Sequence, residues 1–437
     1  MLRYSGPVKS LYDNFNLDKK RRRDISITIF SFAAFYIFFP ITTGVPITKF
    51  ADKLGAGDFF YSLLIALPIF GNALQVAASV LLEKTRKRKA LFISFGIVAR
   101  FTWVIIGLVP LLILANGGSS AVYWILLFMV ISSVANSMLG VGFFSWIGDL
   151  IPPKMIGRYF GLRESIGTVV SVTATLLVSI YLNHNTSYES FAVIFAIAGI
   201  AGTIDILGFI FVSDIPMKEV SRPPLRAFYK KAFSSPAFMR YIIFWSLWAF
   251  TFNMSVAFYN LYALTALELS FMKVALAGQI TFSSIAFFAA PLWGNALDRS
   301  GTHHVLIRAG VVSSVIPLIM LFSSKGSIVA FLIFSIFNGM TLTGINTTAQ
   351  KMLASTLPED NRTMYIAAYS VITSVAAVAG YLSGGGFLEL LGDITLHIGF
   401  IDLDRYKILF SLSGLLRLAV LVFYLPAMTK LLDEKPS

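Results

Sequence analysis

The chain has 437 residues, 57% of them hydrophobic and 13% charged, with a mean hydropathy of +0.77. Soluble domains carry about one charged residue in four, so this balance excludes an ordinary soluble enzyme. The net charge of +13 would suggest nucleic acid in a soluble protein, but the basic residues are placed as in a membrane protein that binds none, and the lack of cysteine removes disulfide frameworks and thiolate sites.

A bilayer crossing needs about 20 apolar residues, so the length suits about a dozen crossings. Residues 1–24 form an N-terminal segment whose run Lys19, Lys20, Arg21, Arg22, Arg23 sits directly before the first apolar stretch. That position makes the run an orientation anchor, and nothing before it has the apolar core of a signal peptide. Apolar runs predict spans over 25–48, 58–82, 90–114, 121–147, 161–182 and 190–212, which together form a first bundle over 25–212.

The longest polar interruption, 213–236, is a linker. In it Leu225, Phe228 and Ala232 recur at helical spacing, with Arg226, Lys230 and Lys231 elsewhere on the circumference. A short amphipathic helix on an anionic surface is expected there. Six more spans follow over 237–263, 272–297, 303–322, 327–349, 363–390 and 406–428, giving a second bundle over 237–428 and a tail over 429–437. Most Lys and Arg fall in the segments on the N-terminal side of the membrane, so the positive-inside rule places both termini in the cytoplasm. A multi-pass protein of a bacterial inner membrane is the default localisation.

The halves repeat. Span 2 ends in Leu82, Glu83, Lys84, Thr85, Arg86, and span 8 ends in Gly294, Asn295, Ala296, Leu297, Asp298, Arg299, Ser300, Gly301. After span 4 Pro153 precedes Arg158, and after span 10 Pro358 precedes Arg362. Two bundles related by an internal repeat predict a substrate site at their interface near the membrane midplane.

With these motifs the chain resembles the major facilitator superfamily of secondary transporters over nearly its whole length. The stretch from Gly294 through Asp298 and Arg299 to Gly301 is similar to that family's loop signature between helices 8 and 9. The first-half copy departs from it, with Ser79, Glu83 and Arg86 at the usual glycine, aspartate and glycine. Asp149, Pro152, Pro153, Gly157 and Arg158, followed by Gly161, Leu162 and Arg163, resemble the segment joining helices 4 and 5. The resemblance implies an all-α fold of twelve transmembrane helices in two six-helix bundles. It also implies a cytoplasmic gate of Glu83, Asp149, Arg158, Asp298, Arg299 and Arg362. The bland alternative for Glu83 and Asp298 is a solvated charge at the unfavourable end of a helix dipole.

Arg100, Asp205 and Arg417 lie well inside spans, where a charge is costly and is paired or functional by default. Arg100 and Asp205 sit at similar depth, about 15 and 12 Å from the cytoplasmic ends of their helices at 1.5 Å per residue. The family places helices 3 and 6 together, so a structural Arg100–Asp205 ion pair is expected. Arg417 has no acidic residue at its depth in the second half, and either reaches hydroxyl and backbone groups or snorkels.

In the resembling family helices 1, 4, 7 and 10 line the cavity, so substrate contacts are expected from Phe35 and Phe39, Asn136, Trp245, Trp248 and Asn253, and Asn338, Thr341 and Asn346. Asn72, Gln75 and Gln279 are added from helices 2 and 8. Pro40 and Pro46 should bend or interrupt span 1. Amides beside aromatic faces suit a neutral polar, sugar-like or amphipathic molecule, although small and hydroxyl residues also glue membrane helices together. The four spans lack a mid-membrane charge. That counts against drug–proton antiport and against organophosphate exchange, which wants paired cavity arginines. Asp58 at the outer end of span 2 reads as an N-cap, not a sodium ligand.

His184, His303, His304 and His397 fall in or beside loops, no paired carboxylates share a depth, and no phosphate-binding glycine loop is present. The sequence therefore predicts no enzyme, cofactor or metal site. It predicts a monomeric transporter of a small organic solute working by alternating access, with a proton as the candidate coupling ion. Multidrug efflux is the alternative within that class. A non-transporting sensor or lipid-handling protein is the alternative outside it.

Overall fold

In hydrocarbon every backbone N–H and C=O must be satisfied within its own segment, so apolar runs of this length fold as helices. The structure, a computed structural model, describes residues 17–114, 120–152, 155–215, 233–356, 362–398 and 401–433. The first half contains α1 (Lys19–Thr43), α2 (Val45–Lys53), α3 (Asp58–Ala73), α4 (Gln75–Thr85), α5 (Arg88–Leu114), α6 (Ala121–Leu150), α7 (Ile156–His184) and α8 (Tyr188–Gly208). The second contains α9 (Pro236–Val256), α10 (Phe258–Thr265), α11 (Phe271–Val274), α12 (Thr281–Val315), α13 (Val329–Thr356), α14 (Arg362–Leu391) and α15 (Arg405–Asp433).

Local chemistry sets many of the ends. Asp18 accepts from the Arg21 N–H at 3.0 Å and starts α1 earlier than the apolar run suggests. Ser187 and Ser235 cap α8 and α9 in the same way. Span 1 breaks at Gly44 between Pro40 and Pro46, as the prolines require, and α3 and α4 meet at a 41° bend. A π-helical stretch, Ala275–Ile280, joins α11 to α12.

Among the described residues ten helical stretches are long and apolar enough to cross a membrane, and the bent pair α3 and α4 makes an eleventh. One of the ten, Phe271–Phe322, has 52 residues, about 78 Å of helix at 1.5 Å per residue and more than twice the hydrocarbon thickness. Gly301 divides it with a φ of 79°, a left-handed conformation that glycine adopts without strain. It therefore counts as two crossings, and the total is twelve. Between α14 and α15, where sequence suggested only a loop, β1 (Thr395–Ile398) and β2 (Ile401–Asp404) pair antiparallel with His397 opposite Asp402.

The chain forms two compact units: Met1–Phe50 with Leu74–Glu219, and Ala51–Ala73 with Val220–Ser437. The division near residue 219 falls inside the expected linker, whose proposed amphipathic helix lies outside the described residues. Residues 51–73 differ from expectation: they were read as part of the first bundle, and they pack with the second unit. The cause is a close approach of α3 to α14. A Cβ on Gly385 would stand 2.7 Å from the Asp58 carbonyl, so only glycine admits the α3 backbone there. The Tyr61 hydroxyl also donates to the Ala257 carbonyl at 2.8 Å.

In the first unit α5 packs on α6 and α8, and α1 on α7 and α8, around a core that includes Ile25, Phe92, Trp146, Tyr159 and Phe209. In the second, α9 packs on α14 and α15, and α12 on α13 and α15. Its core contains Tyr241, Phe244, Trp245, Trp248 and Leu421.

Candidate functional site

The first unit holds a cavity of about 350 Å³ whose wall mixes aromatic rings with charged groups. α1 supplies Phe32, Phe35 and Tyr36, which at i, i+3 and i+4 share one helix face. α6 supplies Asn136, Gly140 and Phe143, one face at i, i+4 and i+7. The charges come from their neighbours: Arg100 on α5, Arg163 and Glu164 on α7, and Asp205 on α8.

Arg100 donates from Nη1 to Asn136 Oδ1 at 3.3 Å, and its guanidinium lies 4.3 Å from the Phe38 ring centre and 5.0 Å from that of Phe35. The Arg163 guanidinium lies 3.2 Å from the Phe32 ring centre and 4.7 Å from that of Phe143, so ring quadrupoles replace part of its lost hydration. The Tyr36 hydroxyl donates to one Glu164 oxygen, and Arg163 Nη2 stands 3.8 Å from the other. Arg100 and Arg163 are each 8% exposed and Asp205 is 4% exposed. Asp205 is within coulombic range of both arginines. Its Oδ1, Arg100 Nε, and Arg163 Nε and Nη1 are all buried without a hydrogen-bond partner. Unused donors and acceptors on buried charges are expensive, and inside a membrane they mark a functional site by default.

A family model of the Major Facilitator Superfamily matches residues 25–288 and 274–437. The chain belongs to the major facilitator superfamily. A bacterial homologue of the human lysosomal transporter Spinster, inward-facing and unoccupied, has a similar structure. It superposes with a TM-score of 0.71 at 14% identity, covering 97% of this chain and 100% of that one. The nucleoside transporter NupG gives 0.66 at 14% identity, with 94% and 100% covered. A POT family transporter in complex with 5-aminolevulinic acid gives 0.67 at 10% identity, with 98% and 100% covered. At these identities the likeness is one of fold. Comparison by sequence with curated proteins finds no match.

This member of the superfamily is thus a multi-pass membrane transporter with a small-molecule cargo, and its family and fold are non-enzymatic. Of the residues expected to contact substrate, Phe35 and Asn136 line the cavity. Gln75 opens α4 beside Gly140, its amide 3.2 Å from where a Cβ on that glycine would stand. Phe39 is exposed beside Phe35, and Asn72 is half-buried near the end of α3. In the second unit Asn338 and Gln279 are half-buried and Asn346 is exposed. The Asn253 amide and the Thr341 hydroxyl are bound to the carbonyls of Ala249 and Phe337 on their own helices. Trp245 and Trp248 were read as a cavity stripe. Both are 4% exposed and packed in the core of the unit, so the stripe faces inward among helices.

Three expectations are corrected. The Arg100–Asp205 ion pair is not formed, although α5 and α8 pack together: Arg100 turns to Asn136 and the Phe35 and Phe38 rings instead. Matching depth fixes position along a helix axis and says nothing of the direction around it. Asp58 is no local N-cap. Its carboxylate meets Arg405 at 2.9 Å and the Tyr406 hydroxyl at 3.3 Å, while Glu389 of α14 accepts the Phe59 N–H at 3.2 Å. Paired cavity arginines, read as missing, are present as Arg100 and Arg163. Arg163 was read only as part of the segment joining helices 4 and 5 and Glu164 was not singled out, yet both lie two turns inside α7. The available signal was the adjacent Arg–Glu pair a turn and more beyond Arg158, inside the helix and not at its end.

Among the expected gate residues, Asp149 pairs with Arg88 at 2.7 Å, and the buried Arg88 also donates to Ser145 Oγ and to the Ile215 carbonyl. Asp298 pairs with Lys351 at 3.1 Å. Glu83, Arg158 and Arg299 are exposed. Arg362 begins α14, and its side chain lies outside the described residues. Arg417 takes the first of its two expected courses: it donates to the Ser313 carbonyl at 2.9 Å and to the Ser413 and Ser255 hydroxyls at 3.0 and 3.3 Å. Among the described residues no group of three or more His, Cys, Asp or Glu is arranged to hold a metal.

Proposed function

We propose that this transporter moves a small amphipathic organic solute across the bacterial inner membrane by alternating access, as a monomer with both termini cytoplasmic. The observation that carries the reading is the mixed wall of the first-unit cavity. Phe32, Phe35 and Phe143 offer apolar faces and Asn136 an amide, while Arg100, Arg163 and Asp205 offer polar atoms with unused hydrogen-bonding capacity. Aromatic faces stack on apolar surface, and buried polar groups without partners favour a ligand that supplies them. A wholly neutral sugar would leave two guanidiniums and a carboxylate uncompensated, so the amphipathic branch of the expectation is preferred.

The gate reading of Asp298, Arg299 and their first-half counterparts belongs to the same proposal. The test is counterflow in proteoliposomes with a panel of sugars, nucleosides, aromatic amphipaths and lipids. Flux of one or more amphipaths is expected. Flux of sugars alone, or of nothing in the panel, overturns it.

A further inference from the structure

We infer that Arg163 is the seat of a single negative charge on the substrate, and that the cargo is an amphipathic monocarboxylate whose apolar body lies along Phe32, Phe35 and Phe143. The assignment rests on the reading of the cavity as a solute site. It names the charge and the residue that takes it.

The argument is one of charge balance in a dry place. Three ionic side chains of the cavity are at least nine-tenths buried, Arg100, Arg163 and Asp205, and they sum to one positive charge. The fourth, Glu164, has a side chain 54% exposed and accepts from Tyr36. It is therefore solvated and already partnered. A net buried charge is strongly unfavourable at low dielectric. One carboxylate entering the cavity neutralises the buried set, whereas a phosphate dianion would overshoot and an ammonium would make the imbalance worse.

Hydrogen bonding separates the two arginines. Arg100 is committed to Asn136, whereas Arg163 is held mainly by ring faces and keeps Nε and Nη1 without acceptors. A guanidinium lying against a ring directs its N–H bonds outward in its own plane, so the free donors of Arg163 are directed to a ligand beside Phe32. The groups facing Arg163 are Tyr36, Tyr159, Glu164 and Asp205. Of these, Tyr159 donates its hydroxyl to Thr28 and stands close enough to accept from Arg163, while Arg163 Nε and Nη1 stay without a partner.

The test uses three probes with one body, 4-phenylbutyrate, 4-phenylbutanol and 4-phenylbutylamine, titrated calorimetrically into the purified full-length protein. The carboxylate should bind at least tenfold more tightly than the alcohol, and the amine most weakly. Arg163→Gln should bring the carboxylate down to the affinity of the alcohol while leaving the alcohol unchanged, which also reports that the variant is folded. Arg163→Lys should restore part of the preference. Asp205→Asn, which adds one positive charge to the buried set, should tighten the carboxylate several-fold and leave the alcohol alone.

Equal binding of the three probes, no binding of any, or a carboxylate preference that survives Arg163→Gln overturns the assignment, and transport of another amphipath would still stand. Conversely, carboxylate binding through Arg163 without flux in vesicles upholds the assignment and removes the transport reading.

Discussion

Arg405, the first residue of α15, holds a guanidinium nitrogen 2.9 Å from the carboxylate of Asp58, the first residue of α3, and Tyr406 donates to the same carboxylate. This contact joins residues 51–73 to the second unit at the helix start, where Glu389 caps Phe59. Asp58 is 8% exposed, so it depends on its partner. Arg405→Gln should destabilise the protein by about 1–3 kcal/mol, below the cost of breaking a fully buried pair because the Arg405 side chain is 26% exposed. In a double-mutant cycle with Asp58→Asn the loss should be clearly less than additive. Thermal melting in detergent measures both, and strict additivity would count against the pair.

Asp298 and Lys351 stand 3.1 Å apart on a surface where the aspartate side chain is 80% exposed. An exposed pair of this kind contributes about 0–1 kcal/mol, so Asp298→Asn should barely move the melting temperature. If the carboxylate serves the proposed gate, vesicle flux should fall while ligand binding is retained. Unchanged flux would leave Asp298 a solvated surface charge.

Arg417 is 2% exposed and relies on hydroxyl and carbonyl oxygens in place of a carboxylate. A lysine carries the charge but cannot reach Ser255, Ser313 and Ser413 together. Arg417→Lys should therefore cost about 1–3 kcal/mol, on the scale of a hydrogen bond to a charged group. The ratio of carboxylate to alcohol affinity should be unchanged, because Arg417 belongs to the second unit and not to the cavity. A shifted ratio would assign it a transport role.

Trp248 and Trp245 separate packing from binding. Trp248→Ala removes a large ring from the core and should cost about 3–5 kcal/mol. Trp245→Phe deletes an indole N–H that is buried without a partner, and should stay within about 1 kcal/mol of the parent. A loss of probe affinity in Trp245→Phe at unchanged stability would restore the tryptophan to the substrate site.

Much of this was legible before the structure. Span positions followed from apolar run length and the break in span 1 from Pro40 and Pro46, while the lack of an acid at the depth of Arg417 left two courses open. What was not legible depended on direction around an axis. Arg100 and Asp205 match in depth and still do not pair, and Trp245 and Trp248 share a stripe that turns out to face the core. The place of these charges on the cavity wall was hidden for a related reason: helices 1 and 4 line the site without charge, and helices 3, 5 and 6 deliver Arg100, Arg163 and Asp205 between them. The hairpin at Thr395–Asp404 gave no signal because eight residues in a short loop carry too little pattern.

The bend between α3 and α4 has a practical consequence. One crossing begins in one compact unit and ends in the other, so its two segments cannot behave as a single stiff rod if the units move independently. Flexing should concentrate in the few peptides around Leu74, where the helix is already interrupted and Pro68 nearby has given up a backbone donor. The sequence contains no thiol, so a pair of spin labels introduced on either side of that joint would report its angle without competing signal from elsewhere in the molecule.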